Sequence, residues 1–330
     1  MCADSLVCTV EIGVMNDMAQ KLRRRRFKDG AVSFERAEFK FILDEKGKPL
    51  GVYTKEQQEA NQMIEEFMLL ANRRVAEFCA SCEVGGRRVP RAMVYRVHDE
   101  PNEEKLSRFR DFVLRFGYQF RASKGRAVAK AINKLVGEIR GRAEANAIST
   151  LAVRSMSKAL YTTDNIGHYG LAFKYYTHFT SPIRRYPDMM VHRLLARYLA
   201  DGKSADKTKI EAQCVYATER EIIASEAERA SIKYKMVEFM QDKIGQMFKG
   251  HVSGMSEWGI YVELNDTHIE GMAFLRDIEG DYYSYDEARF EVVGRATGRR
   301  IAFGDEVWIR VKGVDMRRRT IDFELIVSNK

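Results

Sequence analysis

The stretch THFTSPIRRYPDMMVHRLLARYL, residues 177–199, decides how the chain is read. Its apolar positions recur at helical spacing, and small polar residues and a proline stand just before two adjacent arginines. Thr180 or Ser181 suits an N-cap, and Pro182 suits a first helical position, where no N–H is needed. Arg184 and Arg185 then fall in the first turn, where free backbone N–H groups and the helix dipole attract anions. Cationic side chains there weaken an isolated helix, and a bound anion removes the penalty. The pattern therefore reads as a phosphate site, with Arg184 offering a planar fork to a phosphodiester. The competing reading pairs an arginine with a structural carboxylate such as Asp188. Pro187 is expected to bend or restart the helix. Met189, Met190, Leu194, Leu195 and Tyr198 are expected to face the core.

Outward from this stretch, 330 residues make two domains the first expectation. Hydrophobic residues are 45% and charged residues 31%, as in a globular protein, and no apolar run reaches membrane-span length. The run Arg23–Arg26 interrupts the N-terminal region before a signal-peptide pattern forms. A formal charge of +8 favours a polyanionic partner. Five cysteines form no disulfide framework in a chain of this length, which points to a reducing cytoplasm. Cys79-Ala-Ser-Cys82 has the spacing of a redox or metal pair. With no second pair and distant histidines, the two read as small residues closing a helix, and no metal site is assigned.

The period of the pattern changes along the chain. Residues 1–26 read as a strand-like start and a basic helix, and residues 31–53 as a β-hairpin turning at Lys46-Gly47-Lys48-Pro49. From about Lys55 to Phe78 a helix is predicted, with Met63, Phe67, Leu70, Ala71, Val75 and Phe78 as its apolar stripe. Further helices follow to about residue 240. After Gly245 the spacing becomes strand-like, with three strands that have glycine at each reversal and then two more over 304–325. Five short strands predict a small closed barrel of the OB type, and the domain boundary is placed at 242/243.

The segment NIGHYGLAFKYYTHFTSPIRRYPD closely resembles the catalytic-domain signature of the ribonuclease II (RNB) family of exoribonucleases. RRFKDGAVSFER, ANQMIEEFMLLANRRVAEF, YRVHDEPNEEKL, LAVRSMSKALY and SEAERA match the same family in order, from about residue 12 to 328. The resemblance implies an α+β chain: an RNB-type catalytic domain lacking its first part (1–242), then an OB-fold S1 RNA-binding barrel (243–330). It implies hydrolysis of single-stranded RNA from the 3′ end to nucleoside 5′-monophosphates, with Mg²⁺.

Carried over by motif, Arg184 grips the scissile phosphate, and Tyr186 in the same motif lies on the RNA path. Glu65 in IEEFM sits near the terminal ribose, on a helix face with Leu69 and Asn72 and away from the apolar stripe. Phe27 stacks on a base near the 3′ end, with a core phenylalanine as the rival reading. Glu228 in SEAERA lies near the strand. In the barrel, Trp258 and Tyr261 flank Gly259 where this fold presents aromatics to bases. Phe274 stands where many such modules have histidine. Asp315 and Arg319 form a polar corner, and Lys249 and Lys312 are expected on backbone phosphates.

The family holds its metal in an aspartate cluster of pattern D-x5-D-x-D-D, upstream of these motifs. Here Asp4, Asp17, Asp29 and Asp44 are scattered and form no such cluster. Two readings follow: the C-terminal portion of an exoribonuclease, inactive alone, or a non-catalytic single-stranded RNA-binding protein. A domain lacking its first part is expected to self-associate through uncovered surface.

Overall fold

A computed structural model describes residues 8–32, 38–55, 58–84, 87–142, 144–286 and 291–326. Helix α1 (Thr9–Lys28) takes up the region read as a strand-like start, from Thr9 onward. Its straight-chain residues favour a helix, with Glu11 in the first turn and Arg25, Arg26 and Lys28 in the last, matching the dipole. Strands β1 (Glu38–Leu43) and β2 (Pro49–Lys55) form the expected antiparallel hairpin. Asp44 Oδ1 accepts the N–H groups of Lys46 and Lys48, and Gly47 supplies the positive φ of the turn.

Helix α2 (Glu59–Ala80) opens on a capping box between Gln58 and Asn61 and packs along α1. Its buried stripe is Met63, Glu66, Leu69, Asn72, Ala76 and Cys79. That is not the stripe expected from apolar spacing: Phe67, Leu70, Ala71 and Val75 are only partly buried and Phe78 is exposed. The helix is rotated because Glu66 and Asn72 are core residues with polar partners. Short strands β3 (Cys82–Val84), β4 (Arg87–Val89) and β5 (Tyr95–Val97) follow. Cys79 and Cys82 are both buried, and burial pushes the Cys79 thiol up to about 12, which suits a packing role.

Helices α3 (Glu103–Arg115), α4 (Gly125–Glu138) and α5 (Ala145–Ser155) enclose their own core, built on Phe109, Phe112, Ile132, Leu135 and Ile148. Strand β6 (Leu160–Thr162) returns to pair with β5. Helix α6 (Tyr186–Leu199) leads to the 35-residue α7 (Lys207–Gln241), about 52 Å long at 1.5 Å per residue. Asp206 caps α7 through the N–H groups of Thr208 and Lys209. The helix contacts β6 in its earlier part and sends Val237, Phe239 and Met240 into the barrel core.

The barrel closes through β7 (Met247–Met255), β8 (Gly259–Leu264), β9 (Glu270–Phe274), β13 (Glu306–Asp315) and β14 (Thr320–Ile326). The strand order is β13-β14-β9-β8-β7, closed by pairing of β13 with β7; β14 runs parallel to β9 and the other pairs are antiparallel. Alternation along β8 puts Ile260, Val262 and Leu264 inside, against Ile309, Val311 and Phe323. Gly271 makes room for Phe323, whose ring carbons would lie 2.6–2.8 Å from a Cβ there. The expected five strands are present, but glycine does not turn each of them. His268 and Arg319 carry positive φ at two reversals. A three-stranded sheet of β10 (Tyr283–Asp286), β11 (Glu291–Gly294) and β12 (Arg300–Ala302), absent from the sequence reading, stands between β9 and β13.

Candidate nucleic-acid interface

The turn carrying Arg184 is built before the helix rather than inside it. Arg184 and Arg185 donate their backbone N–H groups to Ser181 O at 3.3 and 3.0 Å, and α6 begins at Tyr186 with Arg185 as N-cap. Thr180, Ser181 and Pro182 therefore do not cap the helix. Pro187 sits in its first turn and does not kink it. A helix starting at Pro182 would set the Pro187 ring against the carbonyl four residues earlier, so the later proline decides the start. Met189, expected in the core, is 37% exposed.

The two arginines divide their roles. Arg185 Nη2 donates to Asp188 Oδ2 at 2.9 Å, and the same oxygen accepts Ser181 N–H at 2.7 Å. Asp188 is fully buried. Arg184 is exposed, and its guanidinium meets no carboxylate among the described residues. The structural ion pair thus belongs to Arg185, and Arg184 is left facing solvent. Thr180 Oγ1, Arg185 Nε and Asp188 Oδ1 are buried here without a hydrogen-bond partner.

Asn72, from the buried face of α2, fixes the approach to this turn. Its Oδ1 accepts the N–H groups of Phe179 (2.9 Å) and Thr180 (3.2 Å), and its Nδ2 donates to the Tyr176 hydroxyl at 3.2 Å. The sequence reading placed Asn72 beside Glu65 but gave it no role, because it falls outside the apolar stripe that the spacing predicts. Behind the turn, the Tyr161 hydroxyl lies 2.7 Å from His178 Nδ1, and Phe179 stacks on His192 with ring centroids 4.1 Å apart. Burial, with the Arg185 and Arg96 guanidinium groups nearby, lowers the His178 pKa to about 2. Arg96 is itself held bidentately by Glu221 at 2.6 and 3.0 Å, tying β5 to α7.

Glu65 lies seven residues before Asn72 on α2, about 10 Å along the helix axis. It is half-exposed, with Arg26 Nη2 3.6 Å away. The buried carboxylate is its neighbour Glu66, at 3% exposure, which accepts from Arg26 Nε at 3.1 Å and also from Arg26 Nη2. Arg26 also places its guanidinium 4.9 Å from the Phe27 ring centroid, and Arg23 does the same. Arg26 thus draws Phe27 and Glu65 into one neighbourhood. The Phe27 ring is neither core nor a bare platform, since two cations already lie against it.

Tyr186 is exposed and lines a cleft of about 470 Å³ with Ala212, Gln213 and Tyr216. Glu228 is exposed on α7. On the barrel, Trp258 is 69% exposed at the β7–β8 turn. Register pairs Gly259 with Phe274 and Tyr261 with Met272, so Tyr261 and Phe274 share the outer face. Arg276 stands 4.9 Å from the Phe274 ring. Lys249 pairs with Glu306 at 2.7 Å and Lys312 with Asp277 at 2.9 Å, so each ammonium already meets a carboxylate. These exposed pairs are weak and open to competition. Asp315 accepts the N–H groups of Arg317 and Arg318 and shapes the turn before the exposed Arg319.

No group of three or more histidine, cysteine or acidic side chains gathers among the described residues. The carboxylates of Glu65, Glu66 and Asp188 each lie against a guanidinium group. The described residues therefore do not fit a Mg²⁺ cage. No helix among them is long and apolar enough to cross a membrane.

The chain is 36% identical to ribonuclease R 1 of Lactococcus lactis over 332 residues, covering 99% of this chain and 39% of that protein. It is 36% identical to ribonuclease R of Aquifex aeolicus over 317 residues, covering 95% and 44%. The chain thus spans about two fifths of the length of these relatives. In fold it matches the apo form of Mycoplasma genitalium RNase R, with a TM-score of 0.85 at 24% identity over 98% of this chain and 50% of that one. The same protein solved with ribose-methylated single-stranded RNA gives a TM-score of 0.84. Residues 5–201 match the RNB domain model, and the chain belongs to the RNB-domain family.

Proposed function

We propose that this chain is the RNA-gripping portion of a hydrolytic, processive 3′-to-5′ exoribonuclease of the ribonuclease R type. Its whole activity would release nucleoside 5′-monophosphates with Mg²⁺ held by carboxylates outside the described residues. The observation that carries the reading is the exposed, carboxylate-free Arg184 guanidinium on a turn pinned by Asp188 and Asn72. Such a group gives two N–H donors to a phosphodiester and strengthens its hold as charge grows on the phosphoryl oxygens. The Mycoplasma neighbour's complex with single-stranded RNA supports the same ligand class here.

In this reading Glu65 sits at the ribose end of the path and Phe27, with its two flanking guanidinium groups, meets the terminal base. Tyr186 and Glu228 lie along the strand. Trp258, Tyr261 and Phe274 supply sequence-tolerant stacking on the barrel, with Lys249 and Arg319 beside them. The boundary at 242/243 then separates a phosphate-gripping body from a strand-delivering barrel. A second reading, a non-catalytic RNA-binding protein, is favoured by one observation: the described carboxylates gather in no metal-holding group.

Binding of fluorescein-labelled oligo(A) between 50 and 200 mM salt tests the shared part. Affinity is expected to fall steeply with salt, and Arg184→Ala is expected to reduce the log–log slope by about 0.7 while the barrel keeps part of the binding. Affinity indifferent to salt contradicts the reading. Poly(A) incubated with the pure chain and Mg²⁺ is expected to stay intact; released mononucleotides would show that this chain carries its own metal site.

A further inference from the structure

We propose that the cleft between α3, α5 and α7 is a second anion site, which binds a phosphate ester independently of Arg184. The cleft has a volume of about 1290 Å³. Buried Phe109 and Phe112, with Leu151 and Met156, form its apolar floor. Its polar rim has one sign. Lys105 and Arg108 come from α3, Arg154 from α5, Lys158 from the segment after it and Arg229 from α7, and no aspartate or glutamate lines the cleft. The whole chain has 55 basic and 47 acidic residues, near parity, so composition alone does not produce such a lining. The neighbouring cavity beside His98 shows the ordinary mixture, lined by Arg126 and Lys174 together with Asp99 and Glu100.

Among the described residues, Arg108 is the one rim cation seen to meet a carboxylate, an exposed contact with Glu104 at 2.7 Å. Such a pair holds weakly against a competing anion. Arg229 commits Nε to Ser225 O, which leaves its remaining donors free for another partner. The Ser155 and Ser157 hydroxyls donate to Ala152 O and Glu100 O, so the strong donors facing the cleft are the cations. A one-signed cleft with low-dielectric walls focuses its potential and concentrates counter-ions. Arginine forks at its edge select planar or tetrahedral oxyanions. The apolar floor adds area for the non-phosphate part of an ester. The volume exceeds the usual range for one small ligand, about 300–1,000 Å³, and accommodates more than one nucleotide. The shared ligand chemistry is a phosphate ester, and the two sources distinguished below are a polynucleotide strand and a free nucleoside 5′-monophosphate.

The test uses the full chain and two probes: fluorescein-labelled oligo(A) followed by anisotropy, and AMP followed by calorimetry. Arg154→Ala/Lys158→Ala removes two rim charges, both exposed, so the fold is expected to stay intact by circular dichroism. Lys46→Ala/Lys203→Ala removes the same charge away from the cleft and is the control. For a strand ligand, the cleft pair weakens oligo(A) binding about tenfold at 0.1 M salt and lowers the salt slope by about 1.4. For a monophosphate, AMP binds the parent chain and is lost in the cleft pair. Either result supports the site. Unchanged binding of both probes, or an equal loss in the control pair, overturns it. Because Arg184 is untouched, failure here leaves the reading of that residue standing.

Discussion

Arg185 and Asp188 form an ion pair of 2.9 Å in which the carboxylate has no exposed surface, and the adjacent Arg184 is left outside it. Two neighbouring arginines therefore differ in kind: one maintains the turn and the other is presented by it. Removing one partner of a buried pair strands the other, at about 3–5 kcal/mol. Asp188→Ala is expected to destabilise by that amount in urea unfolding, whereas Arg184→Ala is expected to stay within about 0.5 kcal/mol of the parent. Equal destabilisation by the two substitutions would show that Arg184 is structural as well.

How much of this turn was legible in the sequence follows from the two prolines. The string TSPIRRYP offers two helix starts, and local capping rules favour the first. Only the steric demand of Pro187 selects the second, which moves Arg184 out of the helix. Residue types and spacing single out Arg184 and Arg185 as candidates for an anion, but do not separate them. The exposure of Arg184, and the assignment of Asp188 to Arg185, needed coordinates.

A second pair, Arg26 with Glu66, joins α1 to α2 at 6% and 3% exposure. Glu66→Ala or Arg26→Ala alone is expected to cost about 3–5 kcal/mol, and Arg26→Met/Glu66→Leu together much less, because the apolar pair needs no mutual charge. Measured stabilities of the two singles and the double close the cycle. Additive losses would contradict the pairing.

That same pair explains why α2 was misread. Apolar spacing placed Phe67, Leu70 and Phe78 inward, but the buried face includes Glu66 and Asn72, which a hydrophobic stripe counts as outside. An acid on a core face needs a cation nearby, and the run Arg23–Arg26 was the signal that could have indicated it. The barrel was easier to read. Alternation in β8 puts Ile260, Val262 and Leu264 on the core face and Tyr261 on the other, and the apolar residues themselves select which of the two faces is buried. The inserted β10–β12 sheet was missed because its strands are only three or four residues long.

Acid sensitivity follows from two partly buried histidines, His178 behind the turn and His168, whose ring lies 5.2 Å from that of Tyr176. Burial lowers His168 to about 3 and His178 to about 2, against about 6.5 in an unfolded chain. Between those values the unfolded state binds two protons that the native state refuses. The stability they permit is complete above about pH 6.5 and declines as pH falls toward 3, by up to about 1.4 kcal/mol per pH unit for each group. The urea midpoint is expected to be lower at pH 5.0 than at pH 7.5. A midpoint unchanged over that range would contradict the desolvation of these rings.

The central claim, that the Asp188-pinned turn presents Arg184 to a phosphodiester, is tested most directly by a crystal structure with a bound single-stranded oligonucleotide. The account predicts phosphate oxygens at about 2.7–2.9 Å from the Arg184 guanidinium nitrogens, with Arg185 still on Asp188. Arg184 folded into a carboxylate pair of its own, with the strand elsewhere, would contradict it.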